Sequence, residues 1–274
     1  MLKRYELDNY KTKIIHLYID ENMPCSKIAN EMNCSLCGIY DALKRWGIKT
    51  RNLSNSHKVY SLNENYFDKI DNEEKAYWLG FIYADGYITG NNLGIALAKL
   101  DKEHLKKFLK CIKSNYKIKE YKSISIYGEC EYCRVLLNSN KLVNDLREKG
   151  VLNNKSLKLT FPNNEIIDMS LYRHFIRGYF DGDGSLVLSK NSINFKICGT
   201  KELLEGLIDV FNTVIYEYNY QKKLFKRYMN DKNNYYISYG GRIKTFKVID
   251  YLYNDCNIYL NRKYNKYIEL KSTF

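Results

Sequence analysis

The chain has 274 residues, of which 45% are hydrophobic and 27% charged, a balance typical of a folded protein and not of a disordered one. Lys and Arg total 44 against 31 Asp and Glu, so the formal charge of +13 favours a polyanionic partner, nucleic acid first. There is no run of 18 apolar residues and no hydrophobic leader, so we expect no membrane partner and a cytoplasmic protein of a bacterial or phage-infected cell.

The first segment, residues 1–51, is predicted to be a small all-α domain. Three stretches place apolar residues at helical spacing, so three short helices can share one core. The stretches are YKTKIIHLYIDE from Tyr10, CSKIANEM from Cys25 and SLCGIYDALKRW from Ser35. Ser26 and Ser35 are the expected N-caps of the second and third helices.

This first segment resembles the helix-turn-helix modules of resolvases and transcription factors. The small Ala29 would let the second helix approach the third, and Asn33 stands where a turn glycine is expected. The resemblance makes the third helix a recognition helix in the DNA groove. Its expected DNA contacts are Ser35, Tyr40, Lys44 and Arg45. A three-helix protein-binding module is the alternative interpretation.

Residues 52–71 are polar and lack a helical or strand period, which predicts a linker. Beyond it, residues 72–274 contain an internal duplication. The stretch EKAYWLGFIYADGYI aligns with LYRHFIRGYFDGDGSL, so that Asp85 corresponds to Asp183. Such a repeat predicts two halves of similar structure.

Each copy of the duplication is an apolar helix with small residues four positions apart, on one helical face. The small residues are Gly80 and Ala84 in the first copy and Gly178 and Gly182 in the second. Two such faces allow the helix backbones to pack unusually close. Gly86 and Gly184 follow as expected left-handed caps, which would place Asp85 and Asp183 side by side on the last turns.

Two carboxylates at helix C-termini repel each other and face the negative ends of the helix dipoles, so they require a cation. Mg²⁺, or Mn²⁺, suits hard oxygen ligands and phosphate oxygens, and the predicted chemistry is phosphodiester hydrolysis. Asp85 and Asp183 are the expected metal ligands, with Asp181 as a weaker candidate. Ala84, which has no donor atom in its side chain, is not counted as a ligand.

The stretches WLGFIYADG and IRGYFDGDG resemble the two LAGLIDADG motifs of single-chain homing endonucleases. Their aspartates are 98 positions apart, a separation that suits a pseudo-symmetric monomer. The resemblance implies an α+β fold for residues 72–274, with two αββαββα halves, about 72–165 and 166–274, forming a DNA-binding saddle. Together with the small helix-turn-helix domain, this is the predicted architecture.

Strands and helices are predicted in the same order after each motif. The first copy gives the strand NLGIALAKL, the helix DKEHLKKFLKCI, the strands YKIKEYKSISIYG and EYCRVLLNS, and the helix NKLVNDLREKG. The second gives the strand INFKICGT, the helix KELLEGLIDVFNTVI, basic strands from Lys222 to Lys247, and the helix TFKVIDYLYNDC. The basic strands fit phosphate contact along a duplex.

Basic residues complete the expected site. In the family that the motifs resemble, a basic residue near each metal stabilises the transition state, and the corresponding positions here are Lys155 and Lys263, predicted to be catalytic. Further DNA contacts are expected from Lys99, Lys196, Arg242, Lys244 and Arg262.

The predicted function is that of a site-specific homing endonuclease, which hydrolyses both strands of a long double-stranded DNA target in a metal-dependent reaction. Two alternatives remain: a DNA-binding transcriptional regulator with a LAGLIDADG-like domain, and an RNA maturase that aids intron splicing. Such regulators have lost the acidic pair, so the presence of both Asp85 and Asp183 favours cleavage. The sequence leaves RNA open as a partner.

Overall fold

The chain divides into two units, Met1–Val59 and Tyr60–Phe274, in the computed structural model. The residues described are 5–50, 60–125, 128–153, 155–189, 193–218, 223–228, 230 and 232–274. The second unit starts before the predicted boundary at residue 72, because Tyr66 and Phe67 are buried in its core. Residues 52–59 of the predicted linker lie outside the described residues.

The first unit contains the three predicted helices, α1 (Lys11–Ile19), α2 (Cys25–Glu31) and α3 (Leu36–Arg45). A 3-10 helix, Glu6–Tyr10, precedes them. The three helices share one core, as predicted, and these residues are buried in it: Ile14, Leu17, Tyr18, Ile28, Ala29, Met32, Ile39, Ala42 and Leu43. Trp46 is partly buried and packs against this core. Helical periodicity alone was sufficient to find this core because it is built from short-range contacts.

The two predicted N-caps of the first unit have different outcomes. The hydroxyl oxygen of Ser35 accepts a hydrogen bond from the Gly38 amide at 3.0 Å, as expected for an N-cap of α3. The prediction for Ser26 is wrong, because α2 begins at Cys25 after an extended Pro24. Asn33 takes the left-handed conformation with a φ of 46°, in the place of the expected turn glycine.

The second unit repeats one order of elements. The first half consists of α4 (Glu73–Asp85), β1 (Gly86–Thr89), β2 (Asn92–Ala98), α5 (Lys102–Cys111), β3 (Lys119–Ser125), β4 (Gly128–Asn138) and α6 (Asn140–Glu148). The second half consists of α7 (Tyr172–Asp183), β5 (Gly184–Leu188), β6 (Ile193–Gly199), α8 (Lys201–Val214), β7 (Phe225–Lys226), β8 (Tyr235–Gly240) and α9 (Arg242–Tyr253). A last helix, α10, spans Asn261–Lys271. Both halves therefore have the predicted αββαββα order.

Each half has one antiparallel four-stranded sheet, in the orders β1-β2-β4-β3 and β5-β6-β8-β7. Side chains alternate across each sheet, as the strand period requires. On β2, Leu93, Ile95 and Leu97 point into the core, which leaves the other face of the sheet open. No helix in the described part of the chain has the length and apolar character to cross a bilayer.

The second half differs from the predictions in one expected element and one helix that was not expected. The basic stretch from Lys222 to Lys247 is not all strand, because β8 ends at Gly240 and α9 begins at Arg242. Gly241, with a φ of 85°, makes the turn between the strand and the helix. The final helix α10 was not predicted, since its sequence has few apolar residues and gives only a weak helical period.

Helices α4 and α7 pack backbone to backbone at their glycines. A Cβ atom on Gly80 would lie 1.9 Å from the Phe175 carbonyl oxygen, and one on Gly178 would lie 1.9 Å from the Tyr77 carbonyl oxygen. Any side chain at either position would separate the helices. The predicted close packing at small residues is therefore confirmed.

The predicted left-handed caps at Gly86 and Gly184 are wrong. Both residues are extended, with φ of −75° and −86°, and each starts a strand directly after its helix. They are crowded instead: a Cβ on Gly86 would lie 2.7 Å from the Ile82 carbonyl oxygen, and one on Gly184 would lie 2.0 Å from the Phe180 ring. Glycine is required at these positions because the neighbouring atoms leave no room for a Cβ, and not because the backbone has a conformation that only glycine favours.

Candidate active site at the ends of the paired helices

Helices α4 and α7 end at Asp85 and Asp183, the two aspartates that the alignment matched. The helix ends also meet. A Cβ on Gly182 would lie 2.2 Å from the Ala84 Cβ atom and 3.2 Å from Oδ2 of Asp85. The fold therefore brings the acidic end of one half against that of the other.

The pKa values of both carboxyl groups reflect this crowding. Burial, and next the charge of Asp183, raise the pKa of Asp85 to about 6. Burial also raises the pKa of Asp183, although solvent reaches part of this side chain. The anionic pair is thus destabilised in the protein alone, and a bound cation would relieve the repulsion.

Lys155 and Lys263 occupy equivalent places under the two helix ends. The Lys155 ammonium donates to the carbonyl oxygens of Tyr83 and Ala84 at the end of α4. The Lys263 ammonium donates to the carbonyl oxygens of Phe180, of Asp181 at 2.9 Å and of Gly184 at 2.6 Å. Each lysine satisfies the unpaired carbonyls that end a helix.

These lysines also place positive charge beside the carboxylates. Lys263 is buried and Lys155 is half-buried. Burial lowers the pKa of each to about 8, while the aspartates act in the opposite direction. The structure thus brings together all four residues that the sequence suggested as catalytic.

The geometry does not support Asp181 as a metal ligand. Its side chain is buried and accepts hydrogen bonds from the Tyr253 hydroxyl at 2.5 Å, the Tyr77 hydroxyl at 2.7 Å and the Leu260 amide at 2.7 Å. The equivalent residue in the first half is Tyr83, whose hydroxyl donates to the Lys149 carbonyl. Asp181 instead ties together helices from both halves.

Three of the predicted DNA-binding residues of the second unit are held by partners within the protein. Lys99 forms ion pairs with Glu131 at 3.2 Å and Glu120 at 3.5 Å. Arg262 pairs with Asp101 at 3.0 Å. Arg242, at the start of α9, donates to the Thr273 carbonyl at 2.7 Å. Because each already has a partner within the protein, these side chains are poorer candidates for phosphate contact.

Lys196 and Lys244 lie over aromatic rings. The Lys196 ammonium is 4.0 Å from the centre of the Tyr236 ring, on the open face of the second sheet. The Lys244 ammonium is 5.3 Å from the centre of the Tyr218 ring. Lys244 lies on α9 and not on a strand. Of the two, Lys196 is placed where a sheet face could contact a ligand.

Sequence reasoning missed an aromatic and basic cluster on the open face of the first sheet. Tyr121 and Tyr132 stack with ring centres 5.1 Å apart, and Arg134 donates to the Tyr121 hydroxyl at 3.0 Å. Phe225 and Tyr236 form the related stack in the second sheet. Strand alternation gives the signal for such a cluster, but only the pairing of β3 with β4 shows which residues meet.

The predicted recognition helix in the first unit presents a mixed surface. Lys44 is exposed, Tyr40 packs against the core, and the Ser35 hydroxyl caps the helix. Arg45 forms an ion pair with Asp8 at 2.8 Å, and Trp46 donates to the same carboxylate. Lys44 is therefore the member of the predicted set that is best placed for phosphate contact.

The residues present fit a magnesium ion with open coordination positions. Within the described ranges, no group of three or more His, Cys, Asp or Glu could hold a metal, so the protein would offer only the two carboxylates. Mg²⁺ is commonly held by one or two carboxylates and completes its shell with water and substrate phosphate oxygens.

Comparisons with known proteins agree with this geometry. Residues 170–249, which include α7 and Asp183, match the LAGLIDADG-like domain family. This part of the chain is a LAGLIDADG-like domain. The chain is also similar to the structure of the homing endonuclease I-WcaI bound to its DNA recognition sequence, with a TM-score of 0.53, 16% identity, and coverage of 81% of this chain and 96% of that one.

Two further similarities were found. The LAGLIDADG homing endonuclease I-GzeII in complex with its DNA target matches with a TM-score of 0.48 and 12% identity, over 73% of this chain and 89% of that one. A replication factor C small subunit from Methanocaldococcus jannaschii is 28% identical over 210 residues, which is 72% of this chain and 10% of that protein. The chain thus covers only about a tenth of that relative's length, and the similarity to the I-WcaI structure shows a shared fold.

Proposed function

We propose that this protein is a LAGLIDADG homing endonuclease that hydrolyses both strands of a specific double-stranded DNA target with Mg²⁺ or Mn²⁺. The observation that carries the proposal is the meeting of Asp85 and Asp183 at the ends of two closely packed helices. A carboxylate pair with raised pKa values has no evident structural use, and it suits cation binding next to a phosphodiester.

Asp85 and Asp183 would hold the metal, and each would serve the cut on one strand. Bound magnesium supplies a Lewis acid that activates water and offsets charge on the phosphoryl oxygens. Lys155 and Lys263 fix the helix ends that carry the carboxylates and keep positive charge at the reacting phosphates. Their fixed hydrogen bonds mean that little reorganisation is needed when DNA arrives.

The open faces of the two sheets would form the DNA-binding saddle, and the first unit would add a helix-turn-helix contact. One chain contains both halves of the site, so a monomer is sufficient for cleavage. Lys196 is the predicted contact that the sheet geometry supports best. A location in the cytoplasm, where the DNA is accessible, belongs to the same proposal.

Cleavage is tested with a library of plasmids that carry random inserts, from which cut molecules are selected in Mg²⁺ and sequenced. We expect the wild-type protein to linearise a plasmid that carries the selected target. Asp85→Asn and Asp183→Asn should each reduce cleavage at least about 100-fold while binding is kept, because they remove metal ligands. Asp209→Asn, on an exposed helical surface, is the matched control and should cut normally.

Two outcomes would contradict the proposal. Normal cleavage by both site variants would show that the acidic pair is not the active site. Sequence-specific binding of a duplex from the library, with no cut molecule recovered in Mg²⁺ or Mn²⁺, would instead support the regulator alternative.

A further inference from the structure

The two sheets can be compared residue by residue, starting from the aspartates that precede them. Tyr87 and Ser185 each come two positions after an aspartate, at the same step of the first strand of their sheet. Strand register then places two further residues beside each of them. The first row consists of Tyr87, Gly94 and Leu136, and the second row consists of Ser185, Lys196 and Ser238. The two rows occupy equivalent positions in the two halves.

Both rows lie on the open faces of their sheets. Their neighbours along the strands, among them Ile95 and Ile197, are fully buried in the core. Because side chains alternate along a strand, the residues of the rows point to the opposite face. Leu136 is 44% exposed there, and Lys196 is half-buried. Under the proposed function, the two rows face equivalent base pairs in the two halves of the target.

The first row offers an apolar contact. A Cβ on Gly94 would lie 2.1 Å from the Tyr87 ring, so this ring covers the glycine. Gly94 therefore adds no side chain of its own to the open face. Leu136 stands next to Gly94 on the neighbouring strand, and its side chain has neither a hydrogen-bond donor nor an acceptor. A ligand that meets Leu136 can gain only from burying apolar surface.

The second row has a cation in the place of Gly94. The Lys196 ammonium lies 4.0 Å from the centre of the Tyr236 ring, and this contact holds it over the sheet. Lys196 forms no ion pair with a carboxylate in the part of the chain that the structure describes. The Ser238 hydroxyl, by contrast, already donates to Oδ1 of Asn194 at 2.9 Å. Lys196 is therefore the donor of this row that is available to an acceptor on a ligand.

We propose that Leu136 and Lys196 recognise different bases at equivalent positions of the two half-sites, thymine at Leu136 and guanine at Lys196. The inference rests on the proposed function and assigns specificity to one residue in each sheet. In the major groove, thymine presents its C5 methyl group, whereas guanine presents the acceptors N7 and O6. The methyl group packs against a leucine, and the two acceptors suit an ammonium group. The two halves of the target therefore differ at this pair of positions.

The first test selects duplexes from a random library by their binding to the full-length protein in EDTA, which prevents metal-dependent cleavage. We expect a T·A pair at one position and a G·C pair at the symmetric position of the other half-site. L136A should relax the preference at the first position alone, and K196Q at the second alone. L100A, in the exposed turn after β2, and K226Q, on the other face of β7, are the matched controls and should change neither preference.

The second test removes single groups from the selected bases. Uracil in place of the thymine lacks the methyl group and should weaken binding by wild-type protein about threefold. In place of the guanine, 7-deazaguanine lacks N7 and should weaken it about 10-fold. L136A should be insensitive to the uracil substitution, and K196Q to the 7-deazaguanine substitution. Each variant should keep the sensitivity of the other half-site, which shows that it is folded.

The outcomes separate this inference from the proposed function. A protein that selects these bases but does not cut the duplex in Mg²⁺ would contradict the nuclease activity and support the inference. The inference would be overturned by the same base at both positions, or by the selection of no sequence at all. It would also be overturned if either analogue weakened binding equally for the wild type and for the variant matched to it.

Discussion

At the scale of single residues, the acidic pair lowers the stability of the protein when no metal is bound. The folded-state pKa of Asp85, about 6, lies above the ordinary value of 3.8. A raised carboxyl pKa gives stability that is present below pH 3.8 and is lost as the pH rises through about 6. At pH 8 the Asp85 carboxyl group is ionised, so without metal the full cost of burying its charge lowers the stability of the folded state.

Asp85→Asn should therefore stabilise the metal-free protein at pH 8. We expect the free energy of unfolding to rise by about 2 kcal/mol, and by less at pH 5, where the wild-type carboxyl is already largely protonated. Urea denaturation in EDTA at both pH values measures this difference. In Mg²⁺ the wild type should gain stability and the variant should gain less. A variant no more stable than the wild type at pH 8 would show that the pair is not strained.

Asp181 differs from Asp85 in its hydrogen bonds: burial raises the pKa of this carboxyl group too, but three donors surround it. Asp181→Asn replaces an acceptor of three hydrogen bonds by a group that carries its own donors, so one partner loses its bond. We expect the free energy of unfolding to fall by about 2 to 4 kcal/mol. Asp209→Asn serves again as the exposed control. Equal stability of the two variants would contradict the structural role given to Asp181.

At the scale of elements, the contact of α4 with α7 depends on glycine. Gly80→Ala or Gly178→Ala places a methyl group 1.9 Å from a carbonyl oxygen of the other helix. The helices must move apart, and we expect a loss of at least about 3 kcal/mol in the free energy of unfolding. Thermal and urea denaturation measure the loss.

Gly240→Ala is the matched control, because a Cβ at that position meets no atom within 4 Å and its φ is not positive. It should change stability by less than about 0.5 kcal/mol. If the two helix variants were as stable as this control, the helices would not be in backbone contact.

At the scale of the whole molecule, the chain is built from two units with separate cores. A protein that lacks residues 1–59 should fold, because the second unit keeps its core and both aspartates. It should still cleave the selected target, with weaker binding or a shorter DNase I footprint than the full chain. An identical affinity and footprint would refute a DNA-binding role for the first unit.

The sequence by itself determined the repeated architecture and the position of the acidic pair. Gly80, Gly178 and the two aspartates could be placed because helical spacing and strand alternation are local properties of the chain. The same local signals located α1, α2 and α3 and most of the strands. They did not reveal α10, whose position depends on packing and not on its own periodicity.

Only the tertiary structure decided which charges are already paired. Lys99 and Arg262 are basic residues at plausible positions, but Glu131 and Asp101, distant in sequence, neutralise them. The sequence likewise could not distinguish Asp181 from a metal ligand. The structure shows that its carboxylate oxygens accept hydrogen bonds from the hydroxyls of Tyr77 and Tyr253. Hydrogen bonds and ion pairs between elements depend on strand register and helix crossing, which no local pattern of residues specifies.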